Sequence, residues 1–265
     1  MIVRDALRDA ETRLAAAGVD TPRVDAELLV AHVAGTTRSG LYAQLDRELD
    51  GPNGNGGVEP LLRRRESREP LAYVLGEWGF RRLVLKVDAR ALVPRPETEI
   101  VVERCLALLT GIAAPRILDI GVGSGAIALA LKDERPDASV TGVDVSSGAL
   151  SLARENAIRL GLDVELREGS LDAAREGWDL VVSNPPYVDS IDGLQPELRY
   201  EPREALIGSG LHQAIAASAA TRAVVFEVGA GQADEIAGVL RDTGFEDVRI
   251  TPDLAGIDRV VEGRR

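Results

Sequence analysis

Apolar residues recur at a helical period over the first part of this chain, and the period changes near residue 77. Leu7, Ala10, Leu14 and Ala17 lie on one helical face, and Gly18 is placed to stop that helix. Asp20-Thr21-Pro22 then reads as a start signal, a cap followed by proline in the first turn. Ala26, Leu29, Val30 and Val33 form the next face, which ends near Gly35. A third helix is predicted over Ser39–Leu49 and a fourth over Val58–Ser67, separated by a flexible loop at Gly51–Gly57. The fourth helix carries Arg63, Arg64 and Arg65, which suit either a solvated face or a docking patch for a partner.

From Trp78 to Val93 the period becomes two, as at Leu83, Leu85 and Val87, and predicts a β-hairpin. Pro96 and the acidic residues around it open a new helix. Strands and helices then alternate. Strands are predicted at 116–120, 139–144, 164–167, 179–183, 223–228, 248–251 and 259–261, with a helix over 232–242. The pattern predicts an α/β fold with a doubly wound, mostly parallel, seven-stranded sheet. The expected divisions are a helical domain at 1–76, a hairpin linker at 77–95 and an α/β domain at 96–265.

Composition narrows the chemistry. The formal net charge of −12 argues against broad capture of nucleic acid, so no direct nucleic-acid binding is expected. Cys105, the single cysteine, falls on an apolar helical face with Val101, Val102, Leu108 and Leu109, and reads as a core thiol. His32 and His212 are too few and too separate for a metal site, so no metal is expected. His32 reads as a packed or half-exposed helix residue. With no signal peptide and no apolar run of spanning length, a cytoplasmic protein without membrane partners is expected.

Ile117 to Ala126 spells a strand, a glycine turn (Gly121-Val122-Gly123-Ser124-Gly125) and a helix start. Asp144 ends the next strand, where a carboxylate can hold ribose hydroxyls. NAD and S-adenosylmethionine present the same adenosine, so turn and acid together identify an adenosine pocket and no more. Asp119 stands just before the turn, able to meet the ammonium of a methyl donor or to cap the turn backbone.

Ser183-Asn184-Pro185-Pro186-Tyr187 follows the apolar run Asp179–Val182, so Asn184 stands where a buried strand opens into a crevice. Two prolines remove two donors and fix two φ angles. The Asn184 side-chain oxygen and the Pro185 carbonyl can each accept one N–H of a planar amine, and Tyr187 can stack on the same plane. An amine-gripping loop beside an adenosine pocket fits methyl transfer to nitrogen.

With both loops in view, the chain resembles the bacterial release-factor glutamine methyltransferases. The resemblance rests on Pro70–Gly76, Leu92–Glu99, the Asp119–Gly125 turn, Asp144, Ser183–Tyr187, Tyr200-Glu201-Pro202 and Asp253–Gly256, spanning roughly residues 70 to 262. It implies S-adenosylmethionine as methyl donor, held by Asp119, Gly121 to Gly125, Asp144, Ser170, Leu171 and Asn184. It implies that Asn184, Pro185, Pro186 and Tyr187 hold the glutamine of the Gly-Gly-Gln motif in class I peptide release factors. The helical first part would help dock that partner. The chain departs from the family at Ser170, where an aspartate usually stands near the adenine, with Leu171 and Asp172 as partial substitutes. The segment Ile207–His212 is short, and no Pro-Gly-Gly turn precedes Ala223.

An N6-adenine DNA methyltransferase is the competing enzyme, because Asn-Pro-Pro-Tyr also grips a flipped adenine's amine. Net charge −12, the absence of an added recognition region and the Pro94–Glu99 segment weigh against it. A ribosomal-protein or RNA methyltransferase ranks below it. A non-catalytic adenosine-binding scaffold is the reading from another class, and the intact Asn184–Tyr187 loop argues against it.

Overall fold

A computed structural model describes residues 1–49, 57–188, 190 and 193–265. The chain divides into two compact units. One comprises Met1–Gly76 with Gln195–Tyr200, the other Glu77–Leu194 with Glu201–Arg265.

The first unit contains α1 (Val3–Ala16), α2 (Pro22–Ala34), α3 (Arg38–Leu41), α4 (Glu59–Glu66) and α5 (Leu71–Leu75). Helix α1 buries Val3, Ala6, Leu7, Ala10 and Leu14, one stripe at helical spacing. Thr21 stands at the N-cap of α2 with Pro22 in its first turn, and Gly35 closes it in the left-handed region. His32 is exposed rather than packed. The expected helix over Ser39–Leu49 stops at Leu41. Instead, the carbonyls of Leu45 and Arg47 accept the N–H groups of Arg4 and Val3, and Leu49 donates to Met1. The segment thus satisfies backbone donors that the start of α1 would otherwise leave orphaned. The expected loop at 51–57 lies outside the described residues except for Gly57.

The arginine run is neither simply a solvated face nor a free docking patch. Arg63 is exposed beside Glu59, but Arg64 grips Glu69 and the carbonyls of Tyr73 and Val74. Arg65 is buried and pairs with Asp25 at 2.7 Å and Glu197 at 2.8 Å. A buried guanidinium needs this pairing, and two of the three charges are consumed inside the unit.

The second unit begins with an antiparallel hairpin, β1 (Glu77–Phe80) and β2 (Leu83–Lys86), shorter than the 78–93 period suggested. Beyond it, Arg90 bonds Asp88 and Glu155, and Glu201 takes the Val93 N–H, so side chains rather than a ladder hold the segment. Then follow α6 (Thr98–Leu108), β3 (Arg116–Ile120), α7 (Ala126–Glu134), β4 (Ser139–Asp144), α8 (Ser147–Leu160), β5 (Glu165–Glu168) and β6 (Trp178–Ser183). The series ends with α9 (Arg203–Leu206), α10 (Leu211–Ser218), β7 (Thr221–Glu227), α11 (Ala233–Asp242), β8 (Arg249–Pro252) and β9 (Asp258–Arg264).

These last seven strands form one sheet in the order β5-β4-β3-β6-β7-β9-β8, parallel except for β9. Successive residues on its central strands (Ile117 and Leu118, Val181 and Val182, Val224 and Val225) are each fully buried, so helices cover both faces. Cys105 is buried in α6, as its apolar face requires. No helix among the described residues is long and apolar enough to cross a membrane.

One buried amide ties the hairpin to α8 and to the segment after β3. Asn156 of α8 is fully buried; its Oδ1 accepts the Lys86 N–H at 2.7 Å, and its Nδ2 donates to the carbonyls of Lys86 and Ser124. Asn156→Ala strands these backbone groups, and the expected loss is roughly 2–4 kcal/mol, read from urea unfolding. A loss below about 0.5 kcal/mol, typical of a surface position, would show that Asn156 does not pin the hairpin.

Candidate functional site

Strands β3 and β6 are parallel neighbours with Ile120 opposite Ser183, and the Ser183 hydroxyl donates to the Ile120 carbonyl at 2.7 Å. From β3 the chain winds outward through β4 and β5, then returns to β6 on the other side. The carboxyl ends of β3 and β6 are therefore a topological switch point, where an open α/β sheet leaves a crevice. A cleft of about 250 Å³ lies there, lined by Gly121–Ser124, Asp144–Ser146, Gly169–Leu171 and Ser183–Pro186, while Gly125 faces Leu129 instead.

The turn depends on backbone geometry that only glycine supplies cheaply. Gly121, Gly123 and Gly125 all have positive φ. A Cβ on Gly125 would also stand 2.8 Å from Leu129 Cδ1, whereas one on Gly121 would enter open space. Gly142 of β4 is a further requirement that the sequence pattern did not single out, since a Cβ there would meet Val122 Cγ2 at 2.6 Å. Asp144 locks the turn: its Oδ2 accepts the Gly123 N–H and its Oδ1 the Ser146 N–H, both at 2.9 Å. A carboxylate has further acceptor capacity, and Asp144 lines the cleft.

Asp119 lies behind the turn, 1 % exposed, and is absent from the cleft lining. Its Oδ2 accepts the Ala128 N–H at 3.1 Å, so half of the carboxylate holds the start of α7. Its Oδ1 is buried without a hydrogen-bond partner among the described residues. Burial pushes the carboxyl up to about 7; the Ala128 N–H opposes that shift and nearby Asp144 adds to it. Ser170 and Leu171 line the cleft. Asp172 does not substitute for the missing aspartate, because its side chain turns to solvent beside Arg175.

On the other wall, Asn184 Nδ2 donates to Thr98 Oγ1 at 3.4 Å, and Thr98 donates to Glu227 Oε2 at 2.6 Å. Burial raises the Glu227 carboxyl, while its bonds to Thr98 and Tyr187 favour the charged form. Tyr187 departs from expectation. It is not among the cleft-lining residues, its ring edge packs near Gly229, and its hydroxyl donates to Glu227 Oε1 at 3.4 Å. Burial and the adjacent carboxylate push that phenol up to about 12, so it stays neutral.

The loop has two further supports. Val188 pairs with the short segment after Leu206, where a Cβ on Gly208 would meet Pro186 at 2.9 Å. Glu201, nearly inaccessible, bonds the Val93 N–H and the Arg95 guanidinium, fixing the Leu92–Arg95 wall.

Thr98 and Glu201 entered the sequence reading only inside the Leu92–Glu99 and Tyr200–Pro202 segments, with no role of their own. Asn156 and Glu227 were not singled out by sequence, though Glu227 carries a readable mark. Like Asp119, it is an acid at the end of a strand buried on both faces. Among the described residues, no cluster of His, Cys, Asp and Glu is placed to hold a metal ion.

Comparison with known proteins agrees with this architecture. Residues 5–76 match the PrmC N-terminal domain family, and residues 98–210 match the methyltransferase small domain family. The release factor glutamine methyltransferase of Deinococcus radiodurans is 42 % identical over 279 aligned positions, covering 100 % of this chain and 99 % of that protein. The one from Geobacter sulfurreducens is 42 % identical, covering 95 % and 92 %. A crystal structure of the protein-(glutamine-N5) methyltransferase of Alicyclobacillus acidocaldarius is 32 % identical, with TM-score 0.43 over 68 % of this chain and 99 % of that one. The hMettl16 catalytic domain, solved in complex with MAT2A 3′UTR hairpin 6, is 15 % identical at TM-score 0.53 over 68 % and 74 % of the two chains, and shares the fold alone. This chain, an enzyme with a class I methyltransferase fold, belongs to the release factor glutamine methyltransferase family.

Proposed function

We propose that this chain transfers a methyl group from S-adenosylmethionine to the side-chain N5 of the glutamine in the Gly-Gly-Gln motif of class I peptide release factors. The observation that carries this reading is the Asn184 carboxamide. Its nitrogen faces Thr98, so its oxygen is free to accept an N–H in a cleft that begins with the glycine turn.

The residues fit such a donor. Asp144 keeps acceptor sites for ribose hydroxyls, Gly121 leaves room for close approach, and the orphaned Asp119 Oδ1, set behind the turn, suits an ammonium through water. The donor supplies an electrophilic methyl on a sulfonium centre. The N–C bond forms as the S–C bond breaks, and the displaced amide proton leaves to water. An amide nitrogen is a weak nucleophile, so the protein's task is alignment, which supplies up to roughly 7–11 kcal/mol in the best cases. Asn184 Oδ1 and the Pro185 carbonyl strengthen as hydrogen-bond acceptors while positive charge develops on nitrogen. The same grip would suit the exocyclic amine of adenine. A formal net charge of −12 disfavours a duplex substrate.

Labelled donor should mark a class I release factor and leave a Gln→Ala version of its Gly-Gly-Gln motif unmarked; label in both, or in neither, sinks the assignment. Asn184→Ala is expected to abolish turnover while donor affinity, read by titration calorimetry, stays largely intact. Near-normal turnover would remove Asn184 from the chemistry.

Asp119 generates a pH prediction with a defined sign. A carboxyl raised on folding contributes stability below its ordinary range and loses it as pH climbs through about 7. Asp119→Asn should therefore melt above the ligand-free wild type at pH 8, with the gap shrinking by pH 5. Saturating donor should raise the wild-type melting temperature at pH 8 more than that of the variant. A pH-independent gap would show that Asp119 does not titrate in this window.

A further inference from the structure

Asn184 can face the cleft with either end of its amide, and only the oxygen-outward orientation accepts an N–H. What decides between them lies behind the loop. Thr98 opens α6, and Glu227 ends β7; both are buried. A carboxylate offers Thr98 no proton, so the Thr98 hydroxyl donates to Glu227 Oε2 at 2.6 Å. Having given its one proton away, Thr98 Oγ1 presents only lone pairs to Asn184, 3.4 Å distant. It can receive the Asn184 NH2 group and cannot serve the oxygen. The second Glu227 oxygen takes the Tyr187 hydroxyl at 3.4 Å. The loop is thereby held from behind at both its first and last residues. Gln232 adds a weaker tether, donating from Nε2 to the Tyr187 carbonyl at 3.3 Å.

We infer that Thr98 and Glu227 are positioning residues that fix the Asn184 amide with its oxygen toward the substrate. The inference rests on the reading of Asn184 as the acceptor of a substrate amine. Its chemical demand is directional: an acceptor-only group at 227, one hydroxyl at 98, and an amide at 184. Glu227→Gln breaks the direction without removing the contact. A glutamine NH2 can donate to Thr98, freeing the Thr98 proton to attract the Asn184 oxygen inward. Thr98→Val keeps the shape and removes the relay, whereas Thr98→Ser keeps the hydroxyl.

The test uses the full-length chain with a class I release factor and S-adenosylmethionine. Thr98→Val and Glu227→Gln are expected to lower kcat by about 10- to 100-fold through misplacement of the acceptor, with donor affinity within about twofold of wild type. Thr98→Ser is expected to recover most of the loss seen in Thr98→Val. Near-wild-type kcat in Thr98→Val, or equal losses in Thr98→Ser and Thr98→Val, would overturn the inference.

Because Thr98 and Glu227 are buried behind a half-buried Asn184, the wild-type protein supplies an independent reading. Nuclear Overhauser contacts from the Asn184 Nδ2 protons to the Thr98 methyl group are expected, and their absence overturns the assigned orientation whatever the variants do. If the wild type methylates no release factor, the proposed function fails while these contacts still decide the orientation of Asn184.

Discussion

Everything at the site depends on the parallel pairing of β3 with β6. That ladder sets Ile120 beside Ser183, and the Ser183 hydroxyl binds the two strand ends together. The glycine turn and the Asn184 loop are some sixty residues apart in sequence, yet they leave the sheet side by side. Because the chain winds away from this point in both directions, no strand among the described residues covers the gap above it. Slipping β6 by one residue against β3 would turn the β6 side chains to the opposite face and break the juxtaposition.

Around that crevice the protein places four carboxylates, three of them buried and Asp144 half-buried. Asp144 holds the turn, Asp119 the start of α7, Glu227 the wall behind Asn184, and Glu201 the Leu92–Arg95 wall. Each loses hydration, which pushes Asp119 and Glu227 upward, and each is answered by hydrogen-bond donors from backbone or side chain. Asp119 is the exception, since one oxygen has no donor. Carboxylates accept without donating, so they impose direction on the groups they hold. Such a setting is the electrostatic complement of the cationic methyl donor and the alkylated nitrogen proposed for this site.

Local patterning made most of the fold legible. The seven strand positions, α1, α2, α4 and the hairpin were visible because buried faces impose period 3.6 or period 2 on the chain. Errors fell where a segment answers to a distant partner. The expected helix after Ser39 became backbone caps for α1, and the second half of the expected hairpin became a wall held by Glu201. The arginine run of α4 gave no sign that Arg65 would be buried between Asp25 and Glu197, because its second acid lies 132 residues away.

By itself the sequence determined the chemistry on offer: a glycine turn with an acid one strand later, and an amide followed by two prolines after a buried strand. Those are local requirements of backbone conformation and hydrogen bonding, so they are written in contiguous residues. Tertiary structure decided which atoms of those residues are spoken for. It turned Tyr187 from the cleft toward Glu227, set Asp119 behind the turn, sent Asp172 to solvent and brought Thr98 behind Asn184. Hydrogen bonds are exclusive and directional, so the free end of each side chain follows only once its distant partners are in place.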